Sequence, residues 1–193
     1  FKQKTAYEIM PSLVGSEMCI RDRDLILSSS SDFEFIYGPA YKGIPLATSI
    51  SLRLFHEHKK NKPYSFNRKE IKKHGDGGEI VGYIKGGKAL VVDDVISSGS
   101  SIIESIELLK KHDSTCEDIV VALDRMEIGK NERASLEMQN LGLKVYSIIT
   151  LDDIEQYLAN NQSLRHHLDS MKEYTSTFNR YSMSKLVLSL QPR

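Results

Sequence analysis

Short apolar runs alternate with amphipathic segments along the chain from residue 32 onward. The runs at residues 33–37, 88–94, 118–124 and 144–150 are rich in β-branched and aromatic side chains, which predicts buried strands. A fifth strand is predicted at residues 62–69. Strands that alternate with helices imply right-handed crossovers and a mostly parallel central sheet flanked by helices. The predicted fold class is therefore α/β.

The segments between these strands carry apolar residues at helical spacing. Proline prefers the first helical position, so Pro45 is predicted to open a helix. A second helix is predicted after Ser101, with charged residues on its outer face. Further helices are predicted at residues 134–141 and 152–160, the latter with Thr150 or Asp152 as its cap. Residues 70–82 are polar and glycine-rich, which predicts a loop.

The two ends of the chain lack this regular pattern. The chain begins at Phe1, so its natural start is expected to be missing, and residues 1–23 are predicted to be non-native or disordered. Their segment "IMPSLVGSEMCIRDR" resembles translated sequencing-adapter read-through, while the alternative is a genuine irregular segment. The predicted domain is residues 24–178, and residues 179–193 form a C-terminal tail of doubtful origin.

Composition narrows the classes of partner. Lys plus Arg and Asp plus Glu number 26 each, so no overall field favours nucleic acid or a membrane, and any anion site must be local. No apolar run approaches the roughly 20 residues that a spanning helix needs. Cys19 and Cys116 form neither metal-binding nor disulfide spacing, which favours a cytoplasmic location.

The segment "LVVDDVISSGSS" (residues 90–101) is the strongest candidate for a site. Ligands of parallel sheets bind beyond the carboxyl ends of strands, and small residues at a helix N-terminus let backbone N–H groups approach a phosphate. Asp93 and Asp94 beside such a cradle suit hydroxyl groups of the same ligand, or a nearby cation, so a phosphorylated sugar fits. The alternative is that the two acids only cap a helix. Neither a G-x-x-x-x-G-K-[ST] nor a G-x-G-x-x-G motif occurs.

A second candidate is the cationic segment "FNRKEIKKHGDGG" (residues 66–78). Five basic residues fall within seven positions, followed by glycines that can serve as a hinge. A mobile loop of this kind can close over a departing diphosphate, stabilise its charge and exclude water. The alternative is a solvated basic loop. The histidines outside this segment, and Tyr174 with Glu155 and Tyr157, are interpreted as surface or packing residues.

Four segments together resemble a known family. "VVDDVISSGSS" resembles the 5-phosphoribosyl-1-pyrophosphate (PRPP) motif of type I phosphoribosyltransferases, whereas "YGPAYKGIPLA", "FNRKEIKKHGDGGEIVG" and "ALDRMEIG" resemble orotate phosphoribosyltransferase. The resemblance covers residues 32–178 and implies the type I phosphoribosyltransferase fold, with its N-terminal hood region largely missing from this chain. Nothing in residues 1–31 matches that hood, so the resemblance implies that this chain could be impaired as an enzyme.

The resemblance also implies roles for individual residues. Lys72, His74, Asp93 and Asp94 are expected to be catalytic, and Ser97 and Arg125 to bind orotate. PRPP is expected to contact a larger set: Tyr41, Lys42, Arg68, Lys69, Lys72, His74, Asp93, Asp94, Val95, Ile96, Ser97, Ser98, Gly99, Ser100 and Ser101. In the family, the loop at Tyr41 often carries a strained peptide bond.

The implied reaction transfers the 5-phosphoribosyl group of PRPP to orotate and yields orotidine 5-monophosphate and pyrophosphate, a step of UMP biosynthesis. Mg²⁺ is the implied cofactor, held mainly by PRPP and not by the protein. A homodimer whose catalytic loop is shared across subunits is implied, with no nucleic acid or membrane as a partner. Two alternatives remain: a type I phosphoribosyltransferase for a purine base, and a non-catalytic regulatory protein of the same fold.

Overall fold

The computed structural model describes residues 32–69 and 78–178. The described strands are β1 (Phe35–Tyr37), β2 (Tyr64–Asn67), β3 (Ile80–Gly82), β4 (Gly87–Ile96), β5 (Ser114–Asp124) and β6 (Lys144–Thr150). The described helices are α1 (Gly43–His58), α2 (Ser100–Lys111), α3 (Ala134–Asn140), α4 (Leu151–Asn160) and α5 (Leu168–Phe178), with one 3₁₀ turn at Arg165–His167. The predictions for residues 1–23 and 179–193 lie outside the described residues.

The described strands form a six-stranded sheet in the order β3-β2-β1-β4-β5-β6. All neighbouring pairs are parallel except β2 and β3, which are antiparallel. The predicted α/β class with a mostly parallel sheet is therefore confirmed. The chain adds strands on one side of β1 and then crosses back to β4 on its other side. The strand order thus reverses between β1 and β4, and such a switch point leaves a crevice at the carboxyl ends of the two strands.

Both faces of the sheet are covered, which explains the nearly continuous apolar runs of its central strands. Successive residues of a strand point to opposite faces, so Ile36 and Leu90 pack with α1, while Tyr37 and Val91 pack with α2 and α3. All four residues are fully buried. The two cores hold the carboxyl ends of β1 and β4 at fixed positions beside each other. None of the described helices is long and apolar enough to cross a bilayer.

Helix α1 begins at Gly43, two residues before the predicted start at Pro45. The backbones of Gly38 and Gly43 lie very close together, since a Cβ on Gly38 would be 2.1 Å from the carbonyl oxygen of Gly43. The Gly43 N–H donates to the carbonyl oxygen of Pro39 at 3.0 Å, which closes the first turn early. Pro45 is tolerated because the first-turn N–H groups of a helix have no intrahelical partner.

Four further predictions of local structure were incomplete. Strand β5 was predicted at residues 118–124 but begins at Ser114, because its pairing with β4 starts at Gly87. Residues 80–82 of the predicted loop form β3, because they pair with β2 and the Arg68 N–H donates to the Glu79 carbonyl at 2.8 Å. Strand β4 continues two residues beyond Asp94, because its pairing with β5 extends to Ile96. Helix α5 goes beyond the predicted elements; none of its residues is buried, and its apolar face is short, made of Leu168, Met171, Tyr174 and Phe178.

Candidate active site

Most of the described candidate residues meet at the crevice between the carboxyl ends of β1 and β4. The loop after β1 carries Tyr41 and Lys42, and β4 carries Asp93 and Asp94 near its end. The loop from β4 into α2 adds the small residues 97–99. Three elements that are distant in sequence therefore contribute polar groups to one edge of the sheet.

The two acids are partly buried in β4, and their surroundings differ. Burial raises the pKa of Asp93 from 3.8 to about 7, and the adjacent Asp94 carboxylate also raises it. Asp93 Oδ1 accepts a hydrogen bond from the Asp94 N–H at 2.9 Å. Asp94 Oδ2 instead accepts from Lys42 Nζ at 2.7 Å. The pair therefore combines one carboxyl that titrates near neutrality with one that is held by a cation.

The loop between β4 and α2 brings the N-terminus of α2 to the crevice. Gly99 precedes the helix with φ of 76°, in the left-handed region, and α2 has neither a side-chain cap nor an acidic residue in its first turn. A Cβ on Gly99 would lie 3.2 Å from Met138 Cε. The hydroxyl oxygens of Ser98 and Ser100 are 3.1 Å apart, and both side chains are exposed. Uncapped N–H groups and hydroxyls at a helix N-terminus form a cradle suited to a phosphate.

The residues just before this loop are less accessible to a ligand. Val95 is partly buried, whereas the Ile96 side chain is 1% exposed and belongs to the core under α2 and α3. The Ile96 carbonyl oxygen accepts from the Arg125 N–H at 3.1 Å. Ile96 therefore shapes the backbone of the site, and its side chain does not reach the crevice.

The loop after β1 is fastened to the end of β2. The Ala40 N–H donates to Asn67 Oδ1 at 2.7 Å, and the peptide bond between Ala40 and Tyr41 is cis. Tyr41 is 67% exposed, with Lys69 Nζ 5.2 Å from its ring centroid. Asn67 was not among the predicted site residues, although it is a polar side chain near the end of a predicted strand, which could have indicated it. Its amide holds the backbone that presents Tyr41 and Lys42.

Two cavities lie against this loop. One has a volume of about 430 Å³ and is lined by residues that include Tyr41, Arg68 and Lys69. The other, of about 320 Å³, is lined by residues that include Ala40, Lys69 and Ser101, and therefore joins the loop to the N-terminus of α2. Arg68 Nε is buried with no hydrogen-bond partner in the described part of the chain. The cavities place cationic groups where an anion could enter. Lys72 and His74 lie outside the described residues.

Arg125 follows β5, which lies on the side of β4 away from β1. Its backbone is fixed by the bond to Ile96 and by a tight turn, in which Asp124 Oδ1 accepts from the Met126 N–H at 2.7 Å while Met126 has φ of 55°. The Arg125 guanidinium is 2.8 Å from Glu127 Oε1, and its Cζ lies 5.3 Å from the ring centroid of Tyr174. Tyr174, interpreted from the sequence as a packing residue, thus contacts a predicted substrate-binding residue.

The described residues contain no group of three His, Cys, Asp or Glu side chains that could hold a metal ion by themselves. Asp93 and Asp94 supply carboxylate oxygens, which are the ligands that Mg²⁺ prefers. The site therefore fits a Mg²⁺ ion that is held mainly by phosphate oxygens and water, as Mg²⁺ commonly is in phosphate-transfer sites.

Comparison with known proteins gives a consistent result. A family model described as "Phosphoribosyl transferase domain" matches residues 23–146. An orotate phosphoribosyltransferase of Photorhabdus laumondii is 41% identical over 155 residues, covering 79% of this chain and 73% of the relative. One of Salmonella newport is 40% identical over 157 residues, covering 80% and 74%. The crystal structure of orotate phosphoribosyltransferase from Francisella tularensis has a TM-score of 0.69 and 27% identity, covering 87% of this chain and 84% of that one.

Proposed function

The chain belongs to the orotate phosphoribosyltransferases of the phosphoribosyl transferase family, and we propose that the crevice between β1 and β4 is its active site. The enzyme transfers the 5-phosphoribosyl group from PRPP to orotate in pyrimidine biosynthesis. The observation that carries the proposed site is the order of groups along one edge: the Asp93–Asp94 pair, the Gly99 loop at the N-terminus of α2, and the loop with Lys42 opposite them. A purine base is not favoured as the acceptor, because the relatives at 40–41% identity are orotate enzymes.

In the proposed arrangement each part of PRPP meets a complementary group. The 5-phosphate lies at residues 97–101, where the N–H groups and dipole of α2 favour an anion. The ribose hydroxyls donate to Asp93 and Asp94. The diphosphate lies toward Lys42, Arg68 and Lys69, whose charges offset its own. Asp93 and Asp94 do not repel the phosphates in this arrangement, because the ribose separates them.

Catalysis then depends on charge that develops during bond cleavage. As the ribose C1–O bond loosens ahead of attack by the orotate nitrogen, the ring gains oxocarbenium character and the diphosphate gains negative charge. Carboxylates beside the ring stabilise the positive charge of the ribose, and fixed cations stabilise the negative charge of the diphosphate. We assign Lys72 and His74 to a loop that closes over the diphosphate. No side-chain nucleophile takes part in this scheme.

Magnesium is part of the proposal. When bound, it would offset the negative charge of the diphosphate, which eases departure of pyrophosphate. It would be held mainly by the oxygens of PRPP and by water, while Asp93 and Asp94 accept hydrogen bonds from the ribose hydroxyls beside it.

For orotate, the proposed contacts are Arg125 and Ser97. A guanidinium matches a carboxylate with two parallel hydrogen bonds, and orotate carries a carboxylate. The Arg125 side chain is 37% exposed, so part of its donor set faces outward. Ser97 directly follows Ile96, the last residue of β4, whose carbonyl oxygen accepts from the Arg125 N–H.

We also propose that the protein is a homodimer in which the loop carrying Lys72 is shared between subunits. We further propose that residues 24–178 form the domain and that the protein is cytoplasmic. The cytoplasmic location rests on the cysteine pattern, and Cys116 carries a free thiol. Limited proteolysis with mass spectrometry tests the domain boundaries, and cell fractionation tests the location.

The decisive experiment measures pyrophosphate release from PRPP and Mg²⁺ in the presence of orotate, adenine or hypoxanthine. Release is expected with orotate alone, together with formation of orotidine 5-monophosphate. The control is the Asp93→Asn, Asp94→Asn double variant, which should fold with unchanged circular dichroism and release none. Release with a purine alone would overturn the acceptor. PRPP binding without release for any base would favour a non-catalytic regulatory protein.

A further inference from the structure

Helix α5 packs against the segment that follows β5. The Ile128 N–H donates to the Phe178 carbonyl oxygen at 3.4 Å, and the rings of Tyr174 and Phe178 lie 4.6 Å apart. Helix α5 is also tied to α4, since Thr175 Oγ1 donates to Glu155 Oε1 at 2.7 Å. These contacts hold one face of α5, including Tyr174, beside the residues that carry Arg125.

A single carboxylate oxygen connects this helix to Arg125. Glu127 Oε1 accepts a hydrogen bond from the Tyr174 hydroxyl and also lies 2.8 Å from Arg125 Nη2. The Tyr174 ring lies beneath the guanidinium, 5.3 Å from Arg125 Cζ to the centroid. Arg125 is thus held by an ion pair at one edge and by the ring of Tyr174 on one face, and the Tyr174 hydroxyl also binds the carboxylate of the ion pair.

These contacts restrict a flexible side chain. A free arginine loses substantial rotamer entropy when it binds a ligand, and a guanidinium already held in place loses less. The Glu127 side chain is 13% exposed, so its charge is shielded from water and the two donors matter more to it than at a surface. With one edge of Arg125 taken by Glu127, the remaining donors of the guanidinium are free to face a ligand.

We propose that Tyr174 and Glu127 are positioning residues that orient Arg125 for the carboxylate of the base. This inference rests on the proposed contact between Arg125 and orotate. It assigns to helix α5 a role in recognition of the base, through the hydroxyl of Tyr174 and its bond to Glu127. We expect recognition of PRPP to be independent of both residues, because neither of them is among the groups proposed to contact PRPP.

The test compares steady-state kinetics of Tyr174→Phe, Glu127→Gln and Arg125→Ala. Tyr174→Phe keeps the ring and removes the hydroxyl, so KM for orotate should rise about tenfold, the usual effect of losing a hydrogen bond to a charged group. KM for PRPP and kcat should change less than about twofold. In the Arg125→Ala background the Tyr174→Phe change should have no further effect on KM for orotate. Equal effects on both substrates, or additive effects, would overturn the positioning role.

Ser176→Ala is the matched control, because the Ser176 hydroxyl donates to the Glu173 carbonyl at 2.8 Å within the same helix. It should change neither KM. A second readout does not require turnover: the ¹H–¹⁵N signal of Arg125 Nε, assigned by its loss in Arg125→Lys, should have a high order parameter that falls in Tyr174→Phe. An already mobile Arg125 in the unmodified chain would overturn the inference. Absence of orotate-dependent release with an ordered Arg125 would instead contradict the proposed function.

Discussion

Lys42 Nζ donates to Asp94 Oδ2 at 2.7 Å, which joins the residue before α1 to β4 across 52 positions of sequence. The lysine side chain is 59% exposed and the aspartate 19%. The cation proposed for the diphosphate thus lies next to the carboxylate proposed for the ribose. A PRPP molecule bound between the loop after β1 and the end of β4 would interact with Lys42 and Asp94 at once.

Replacement of Lys42 should therefore weaken PRPP binding. In Lys42→Met the diphosphate loses one cation and Asp94 loses its partner, so KM for PRPP should rise about tenfold or more, while KM for orotate changes little. Initial rates with each substrate varied in turn measure this. Lys111→Met, an exposed lysine at the end of α2, is the control. An unchanged KM for PRPP in Lys42→Met would remove this residue from the site.

The raised pKa of Asp93 predicts a dependence of stability on pH. Its carboxyl binds a proton more tightly in the folded protein, with a pKa of about 7 against 3.8, because burial disfavours the charged form. Its contribution to stability is fully present below 3.8 and is lost as pH rises through about 7. The free energy of unfolding of the unmodified protein minus that of Asp93→Asn should therefore fall over this window and then stay constant. Urea denaturation at a series of pH values measures the difference; a flat difference would contradict the prediction.

Ionisation of Asp93 should also affect the dependence of the kinetics on pH. An ionised Asp93 accepts hydrogen bonds from ribose hydroxyls better than a neutral one does, so kcat/KM for PRPP should increase as pH rises through the pKa of about 7. Asp93→Glu keeps the carboxylate but displaces it. Its profile should keep a rise of this kind at lower activity, whereas Asp93→Asn should lack the rise.

Glycine at position 99 is predicted to be needed for two separable reasons. Its φ of 76° disfavours any side chain, and a Cβ would lie 3.2 Å from Met138 Cε. Gly142 is a matched control, since its φ is 82° and a Cβ there would have no atom within 4 Å. Both Gly→Ala variants should lose about 1–2 kcal/mol of stability from backbone strain. PRPP affinity, measured by calorimetry, should fall in Gly99→Ala but not in Gly142→Ala. Gly99 lies in the loop between β4 and α2 that is proposed to bind the 5-phosphate, whereas Gly142 does not.

The sequence predicted elements that have strong local signals better than elements that depend on strand pairing. Strand β6 was predicted at its observed bounds, because Gly142 precedes it and Thr150 caps the next helix with its side chain. Strand β3 was missed because three residues carry almost no local signal and depend on pairing with β2. The acid pair was expected at the end of a strand, but pairing of β4 with β5 continues beyond it. Pairing register depends on distant residues and has no local signature.

For the candidate site, the sequence indicated residues more readily than their partners. The "VVDDVISSGSS" pattern indicated the acids and the cradle, because strand, acids, small loop and helix are contiguous. The contact between Lys42 and Asp94, the support of Ala40 by Asn67 and the position of Tyr174 beside Arg125 all join separate elements. Only the folded sheet order brings these residues together.

A shared catalytic loop predicts that two inactive variants restore activity when mixed. Lys72→Ala should reduce turnover by orders of magnitude with a modest change in PRPP affinity, because its charge acts mainly on the departing diphosphate. The Asp93→Asn, Asp94→Asn variant removes the other half of the site. If the loop of one subunit completes the site of its partner, each mixed dimer has one intact site, and an equimolar mixture should recover about a quarter of full activity. Activity that stays at the level of the separate variants, although mixed dimers form by native mass spectrometry, would place the loop over its own subunit's site.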